Sequence, residues 1–225
     1  MWKTICSGRN TAKKNMEIDK FLLENLPFDG DPILHLYEWE GPSATFGYFI
    51  DPKKHLSTLD KVNWARRPTG GGLVFHIWDF AFSVLIPSNH HGYSNDTMQN
   101  YKFINDAVLQ AVENFSTQTC NLLPHEPDIY EEKAKKFCFG KPTKYDVMFR
   151  GKKIAGSAQR CKRNGYLHQG SISLVAPDID LLYELLPKEV ARAIEQNTFA
   201  LLPSADLEEG RKEMAKHLQK TLFAL

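Results

Sequence analysis

The sequence lacks three features that would point to common classes of partner: a large net charge, a long hydrophobic run and a cysteine-rich segment. Its 225 residues include 28 lysines and arginines against 27 acidic residues, so the net charge of +1 gives no electrostatic basis for binding nucleic acid in bulk. No stretch has the length and hydrophobicity of a membrane span, and the amino-terminal segment lacks the apolar core of a signal peptide. We therefore predict a protein that partners with neither nucleic acid nor membranes.

The four cysteines, Cys6, Cys120, Cys138 and Cys161, lack the close paired spacing of a zinc site. Four cysteines in 225 residues also do not make a disulfide framework, so we expect a reducing, cytoplasmic setting. In such a setting one thiol can serve as a nucleophile, although most cysteines are simply small buried hydrophobes.

Hydrophobic periodicity predicts a chain rich in strands with a few amphipathic helices. Helical spacing is found over residues 15–24, 97–115, 178–186 and 205–222, with Asn15 and Asp178 as candidate caps. Strand patterns cover 33–39, 46–50, 62–67, 73–76, 81–86, 145–150, 154–160 and 167–175. Because strands follow one another more often than they alternate with helices, we predict a single α+β domain over residues 1–225. Its sheet should be mostly antiparallel or mixed and flanked by helices.

Residues 66–76 contain three consecutive glycines, the most unusual feature of the chain, in the run Arg-Arg-Pro-Thr-Gly-Gly-Gly-Leu-Val-Phe-His. Consecutive glycines cost backbone entropy in a helix or a strand, so they suit a place where backbone N–H groups must approach a ligand closely. The two preceding arginines indicate that this ligand is anionic. A glycine-rich hairpin turn with surface arginines is the structural alternative.

A second polar cluster follows in the carboxy-terminal half. Residues 144–160 read Lys-Tyr-Asp-Val-Met-Phe-Arg-Gly-Lys-Lys-Ile-Ala-Gly-Ser-Ala-Gln-Arg, and residues 167–172 read Leu-His-Gln-Gly-Ser-Ile. Strand alternation places Asp146 and Met148 on one sheet face, and the turn at Gly151 aims a lysine back across that face. Gly156 leaves room for a ligand or a neighbouring backbone. An ordinary hairpin with solvated lysines is the alternative.

The order and spacing of these two clusters, together with His76, closely resemble the lipoate–protein ligase A and octanoyltransferase family, within the biotin/lipoate protein ligase superfamily. The segments Asn15-Met-Glu-Ile-Asp19 and Tyr37-Glu-Trp…Ser43-Ala-Thr-Phe-Gly-Tyr48 resemble the amino-terminal elements of that family. The resemblance covers about residues 10–175. It implies the class II synthetase-like catalytic domain of the superfamily, and we expect no long carboxy-terminal accessory domain of the kind that many ligases carry.

Family members join lipoate or octanoate to the ε-amine of one lysine on lipoyl carrier domains, which belong to the 2-oxoacid dehydrogenases and the glycine cleavage H protein. Ligases first activate the acid with ATP and Mg²⁺ as an acyl-adenylate such as lipoyl-AMP, because oxide is too poor a leaving group. The resemblance implies that the nucleotide and acyl phosphate are held by Arg67, Gly70, Gly71, Gly72, Asp146 and Gly156, with Asp146 also the magnesium ligand. It implies that the acyl substrate is bound by Tyr48, Thr69, Val74, His76, Ser157, Ala158, His168 and Gly170.

Lys153 matches the key lysine of the family's Gly-x-Lys-Ile-x-Gly motif, and its ammonium would bridge the acyl carbonyl and the phosphate. Lys152 is the rival candidate, but strand alternation should turn it to the other face of the sheet. His76 and His168 match positions that line the family's pocket, and a hydrogen-bonded core role stays open for both. The sequence departs from the family at Ile77, where an aspartate often follows the histidine.

Two activities of the family compete as interpretations. Cys138 lies in a Cys-Phe segment just before Asp146, where cysteine-dependent octanoyltransferases carry the nucleophile that takes octanoyl from acyl carrier protein without ATP. The run from His76 to Val84 also resembles those transferases. They tend, however, to have arginine in place of Gly72, and a third glycine leaves room for an adenylate phosphate. On that steric ground we predict the ATP-dependent ligase, with the octanoyltransferase as the alternative.

A biotin ligase and a non-catalytic homologue are further alternatives. The glycine run and the Gly-Ser-Ala-Gln run resemble the lipoyl branch better than the biotin branch. The presence together of Arg67, Lys153 and Asp146 argues against a lost activity.

Overall fold

A computed structural model describes residues 1–51, 61–125, 142–202 and 206–225. These residues form ten strands and five helices, in the order β1 (Lys3–Asn10), α1 (Ala12–Glu24), β2 (Ile33–Trp39), β3 (Ser43–Phe46), β4 (Asn63–Arg66), β5 (Leu73–His76), β6 (Asp79–Pro87), α2 (Thr97–Ser116), β7 (Asn121–Leu122), β8 (Val147–Phe149), β9 (Lys152–Lys162), β10 (Gly165–Ser173), α3 (Ile179–Leu185), α4 (Lys188–Asn197) and α5 (Leu207–Phe223). The four predicted helices are confirmed, with bounds shifted by a few residues. Within the described ranges, no helix combines the length and hydrophobicity needed to cross a membrane.

The strands build one large and one small sheet. The seven-stranded sheet has the order β1-β2-β6-β10-β9-β8-β7, and the three-stranded sheet has the order β4-β3-β5. β1 runs parallel to β2 and β3 runs parallel to β4, whereas the other neighbouring strands are antiparallel. The predicted α+β class with a mixed, mostly antiparallel sheet is therefore confirmed.

One face of the large sheet is buried beneath α2 and α5. The buried apolar residues of α2 recur at spacings of three and four, as an amphipathic helix requires: Ile104, Ala107, Val108, Ala111 and Val112. They pack against strand residues that include Leu34, Phe82 and Ile172. Burying one such large aliphatic or aromatic side chain contributes roughly 1.5–3 kcal/mol, so this layer supplies a large share of the stability.

The opposite face of the large sheet carries the polar residues and lies beneath α1 and the small sheet. Strand alternation separates the two faces in β2, because Leu34 packs in the α2 core whereas Tyr37 and Trp39 pack against Met16 of α1. Helices α3 and α4 pack against the small sheet and bury its apolar side. A space therefore remains between the two sheets, and the order of the strands brings polar side chains into it.

Two local predictions are wrong. Helix α1 is capped by Thr11, whose hydroxyl accepts from the backbone N–H of Lys14 at 3.2 Å, whereas Asn15 is buried and donates to the carbonyl of Glu38. The strand predicted over residues 46–50 ends at Phe46 instead, and residues 47–50 form a turn closed by a backbone hydrogen bond of 3.0 Å. The turn brings the chain back over the glycines that follow β4.

Apart from the two-residue strand β7, two elements lie outside the predicted ranges. β1 is an edge strand with few apolar residues and a register shift between Cys6 and Gly8, so it has no clean alternation to detect. Helix α4 follows Pro187 directly and buries Val190, Ala191 and Ile194 against the small sheet. Helix α4 begins shortly after the end of α3, and two short helices in succession are hard to tell apart by hydrophobic periodicity.

Candidate active site

A cavity opens between the two sheets and encloses about 430 Å³, its mouth included. Strands β9 and β10 form one wall, and β5 with the end of β4 faces them across the space. Of the residues predicted for the site, those that line it are Arg67, Val74, His76, Lys153, Gly156, Ser157, Ala158 and Gly170. The two polar clusters of the sequence, which are far apart along the chain, therefore meet at one cavity.

Lys153 and Asp146 form a buried ion pair on the wall of this cavity. The Lys153 Nζ lies 2.7 Å from Asp146 Oδ2, and the two side chains are 3% and 1% exposed. The backbone N–H and the hydroxyl of Thr143 donate to the same oxygen at 2.7 and 3.1 Å, whereas Asp146 Oδ1 has no hydrogen-bond partner among the described residues. Burial raises the pKa of Asp146, although the nearby Lys153 ammonium and the Thr143 donors oppose that rise. The pair fixes a cation beside the cavity.

A β-bulge determines where Lys153 points. The pairing of β8 with β9 shifts register between Val147 and Met148, which face Ala155 and Lys153, so Ile154 is the extra residue on β9. Simple alternation would put Lys153 on the same face as Ala155, which packs in the core beneath α2. The bulge turns Lys153 toward the cavity instead, and this re-aiming is not visible in the sequence pattern.

Gly156 leaves the space that the Lys153 ammonium occupies. A Cβ placed on Gly156 would lie 2.3 Å from both Cε and Nζ of Lys153 and 3.3 Å from Asp146 Oδ1. The ammonium therefore passes directly over this glycine, where any side chain would displace it. Lys152, the rival candidate, is exposed and Lys153 is buried, so the two lysines point to different surroundings.

Arg67 holds the glycine turn, residues 70–72, through hydrogen bonds to backbone carbonyls. Its guanidinium donates to the carbonyl of Gly70 from Nε and Nη2, at 3.0 and 2.6 Å, and to the carbonyl of Thr45 at 3.1 Å. Gly71 adopts a φ of 83°, which L residues rarely adopt. A Cβ on Gly47 would lie 1.8 Å from the carbonyl oxygen of Gly71, so the two segments touch through backbone alone. The arginine assigned to the ligand by sequence thus also braces the turn.

His76 is held by a carboxylate that comes two residues later than the family pattern suggests. Its Nδ1 donates to Asp79 Oδ2 at 2.7 Å, and the hydroxyl of Ser171 donates to the same oxygen at 2.6 Å. In the neutral imidazole this leaves Nε2 to accept from the hydroxyl of Thr45 at 2.8 Å. Trp39 stacks on the ring with a centroid distance of 4.1 Å. The ring at the cavity wall is therefore fixed in position and in tautomer.

Gln169 and Asp19 belong to the site and were missed by the sequence interpretation. Gln169 lines the cavity, and its Nε2 donates to the buried Asp19 Oδ2 at 2.6 Å. Thr69 is buried behind the cavity wall and donates to Gln169 Oε1 at 2.6 Å. The signal that could have found Gln169 is the polar alternation of residues 169, 171 and 173 in a strand that is buried throughout.

His168 lies on the other face of the large sheet from the cavity. Its ring faces Phe82 and Tyr101 in the core beneath α2, with centroid distances of 6.3 and 5.7 Å, and Nδ1 lies 2.8 Å from the amide nitrogen of Gln159. Complete burial lowers the pKa of His168 to about 3, because the imidazolium would lose its hydration there. The structure thus places this histidine in the core, the second of the two roles that the sequence left open.

Tyr48 lies at the mouth rather than in the cavity. Its ring is 46% exposed, and the guanidinium of Arg160 lies over it at 4.5 Å from the centroid. It lines an open groove between α1 and β4 that shares Met16 and Arg67 with the cavity. Tyr48 therefore belongs to the groove beside the cavity and not to the cavity lining.

Three predictions from the sequence concern the position of Cys138, the steric role of Gly72 and a magnesium ligand. Cys138 lies outside the described residues, so its position relative to Lys153 stays a prediction, as does the steric role of Gly72. Within the described ranges, no three or more side chains of His, Cys, Asp or Glu group to hold a metal ion. Because Mg²⁺ often takes one carboxylate with substrate phosphates, the unpartnered Asp146 Oδ1 fits a single magnesium ligand.

Replacement of His168 by glutamine should flatten the pH dependence of stability. The unfolded chain binds a proton at this residue below pH 6.5 whereas the folded protein binds it only near pH 3, so the wild type loses stability as the pH falls through this window. The loss between pH 7 and pH 5 should be smaller in His168→Gln by about 2 kcal/mol, measured by urea unfolding. Equal losses in both proteins would show that His168 is not held neutral by burial.

Comparison with solved structures identifies the fold. Protein Ta0514 of T. acidophilum with bound lipoic acid superposes with a TM-score of 0.75 at 21% identity, over 99% of this chain and 86% of that one. A bi-partite lipoate protein ligase from Thermoplasma acidophilum, described with its E2 lipoyl domain, superposes with a TM-score of 0.69 at 20% identity, over 99% and 83%. The arrangement of two sheets around a cavity is therefore the fold of lipoate protein ligases.

Comparison of sequences identifies the family. The octanoyltransferase LipM of Staphylococcus epidermidis is 32% identical over 82% of this chain and 70% of its own length. The octanoyltransferase LipM of Bacillus subtilis is 30% identical over 88% of this chain and 74% of its own length. The family described as lipoyl protein ligase A/B catalytic domain matches residues 11–219, which include both clusters that build the cavity. The chain belongs to the lipoyl protein ligase A/B catalytic domain family.

Proposed function

We propose that the protein is an octanoyltransferase, which moves an octanoyl group from octanoyl acyl carrier protein to the ε-amine of a lysine on lipoyl carrier domains. This choice reverses the preference for a ligase that rested on Gly72. The observation that carries it is that similar sequences, at 30 and 32% identity over more than four fifths of the chain, bear the name octanoyltransferase. The carrier partner is supported by the E2 lipoyl domain of the Thermoplasma acidophilum ligase.

The proposed reaction has two acyl transfers through Cys138. The Cys138 thiolate attacks the thioester carbonyl of the donor, the tetrahedral intermediate collapses, and the donor thiolate leaves and takes up a proton. The acceptor lysine then attacks the acyl-cysteine thioester as a neutral amine. The new amide forms, the amine loses its proton, and the Cys138 thiolate is regenerated. No ATP is consumed, because the thioester is already activated.

Lys153 supplies the charge that both transfers need. Each tetrahedral intermediate carries a negative oxygen, and an ammonium fixed at the cavity wall can stabilise it without reorganisation. Asp146 holds the ammonium in place at 2.7 Å, and their burial strengthens any electrostatic interaction with the reacting oxygen. A cation next to Cys138 would also favour the thiolate over the thiol.

The cavity lining suits a saturated acyl chain. Met16, Tyr37, Val74 and Ala158 give it apolar surface, and Gly156 and Gly170 also belong to its lining. Lys153 lines the same cavity, and the acyl carbonyl would lie beside its ammonium. Binding of the chain therefore places the reacting carbon next to the ammonium.

An ATP-dependent lipoate ligase is the second candidate, and one observation favours it. Asp146 Oδ1 is buried without a hydrogen-bond partner in the described chain, as a magnesium ligand in a nucleotide complex would be. In that reaction ATP and Mg²⁺ would supply activation as an acyl-adenylate. Arg67 and the glycine turn would face the phosphate, and Lys153 would stabilise the acyl carbonyl.

A mass measurement distinguishes the two reactions. Purified protein should add one octanoyl group to an apo lipoyl domain from octanoyl acyl carrier protein without ATP, and Cys138→Ser should abolish this transfer. Cys161→Ser is the matched control, since Cys161 is an exposed free cysteine, and it should transfer at the wild-type rate. Addition of lipoate that requires ATP and Mg²⁺ and survives Cys138→Ser would contradict the proposal and support the ligase.

Replacement of Gly156 by alanine tests the role of Lys153 without removing its charge. The new Cβ would lie 2.3 Å from Nζ, so the ammonium must shift, and because it ends a flexible side chain it can shift while it keeps Asp146 as its partner. Misplacing this charge should lower the rate of octanoyl transfer by about a hundredfold or more. The melting temperature, recorded alongside, should stay close to that of the wild type. A rate within a few-fold of the wild type would show that the position of the ammonium is not critical.

A further inference from the structure

Asp19 is a buried carboxylate that the proposed reaction does not use. It lies on α1, in the segment Asn15-Met-Glu-Ile-Asp19, and its side chain is fully buried. Three side chains donate to it: His35 Nδ1 to Oδ1 at 2.7 Å, Gln169 Nε2 to Oδ2 at 2.6 Å and Ser83 Oγ to Oδ2 at 2.6 Å. Because burial of a carboxylate is unfavourable unless donors surround it, this arrangement is a specific one.

The charge of Asp19 determines which way the Gln169 amide faces. A carboxylate only accepts hydrogen bonds, so the amide nitrogen of Gln169 must point toward Asp19. The amide oxygen then points the opposite way, where the hydroxyl of Thr69 donates to it at 2.6 Å. A direct line of hydrogen bonds with one fixed direction therefore runs from Thr69 through Gln169 to Asp19.

This line ends at the glycine turn. Thr69 is the residue before the first glycine of the turn, and its carbonyl also accepts from the backbone N–H of Tyr48 at 2.9 Å. Arg67 holds the carbonyl of the next residue, Gly70. Gln169 itself lines the cavity. The turn is thus fixed on one side by Arg67 and on the other by Asp19, which reaches it through Gln169.

We propose that Asp19 is a positioning residue for acyl transfer, which holds the glycine turn in register with Lys153 by orienting Gln169 and Thr69. Asp19 touches no reacting atom and acts only through these two side chains. The inference rests on the proposed function in one respect, that an acyl group is transferred in this cavity. It applies equally to a thioester or an adenylate donor, because Gln169 and Lys153 line the same cavity whichever donor is used.

Asp19→Asn is the first variant to test, because it keeps the shape and removes the charge. His35 still needs an acceptor, so the new amide oxygen should face His35 and the new amide nitrogen should face the nitrogen of Gln169. Two donors then oppose each other, so the Gln169 amide must turn over and the Thr69 hydroxyl must change from donor to acceptor. We expect kcat to fall about tenfold or more because the turn shifts. KM should stay within about twofold because the apolar lining is intact.

A second substitution should restore both hydrogen bonds of the line, with only the bond between residues 19 and 169 reversed in direction. In Asp19→Asn combined with Gln169→Glu, the new amide donates to the new carboxylate, which still accepts from Thr69. We expect kcat to recover to within about threefold of the wild type, whereas Gln169→Glu alone places two carboxylates together and should be impaired. Ser83→Ala is the matched control, since it removes another donor to Asp19 without touching the line to Thr69, and its kcat should stay within about twofold.

Two outcomes would overturn the inference: Asp19→Asn with a kcat within twofold of the wild type, or a folded double variant no faster than the single one. If Asp19→Asn fails to fold, as thermal unfolding will show, the folded double variant is compared with the wild type instead. A kcat within about threefold of the wild type then supports the inference, and a lower kcat overturns it. Each variant is compared with the wild type using whichever acyl donor the wild type accepts. A wild type that transfers lipoate only with ATP would contradict the octanoyltransferase, whereas the ratios between variants would still test Asp19.

Discussion

The ion pair between Lys153 and Asp146 is the constraint around which the site is built. Both charges are out of water beside an apolar cavity, and removing one partner of such a pair typically costs about 3–5 kcal/mol because the other is left unpaired. Several local features serve this pair: the bulge at Ile154 aims the lysine, Gly156 leaves space for it and Thr143 donates to the aspartate. An ammonium held this firmly can meet a developing oxyanion without moving.

Two further buried carboxylates, those of Asp79 and Asp19, orient other side chains around the cavity. Asp79 accepts from His76 and Ser171, and Asp19 accepts from His35, Ser83 and Gln169. Since a carboxylate can only accept, each one fixes the direction of the hydrogen bonds that reach it and thus the orientation of the histidine or amide beside the substrate. The apolar face of the large sheet, beneath α2, contributes stability. The opposite face carries the hydrogen bonds that orient these side chains.

Much of the fold and half of the site were predictable from the sequence. The buried stripe of α2 repeats at helical spacing, and the glycine run and the motif around Lys153 are rare enough to indicate one family. Side-chain direction was less predictable, because a one-residue bulge re-aims Lys153 and because His168 falls on the core face of its strand. Asp19 was missed since its role depends on contacts with residues far along the chain, which no local pattern records.

The most direct test of the central claim removes the Lys153 ammonium without leaving a buried charge unpaired. Lys153→Met combined with Asp146→Asn makes both members neutral, so the protein should fold, and the exposed Lys152→Met is the matched control. The rate of octanoyl transfer to an apo lipoyl domain should fall about a hundredfold or more in the double variant and stay near the wild-type rate in Lys152→Met. A folded double variant that transfers octanoyl at close to the wild-type rate would contradict the account.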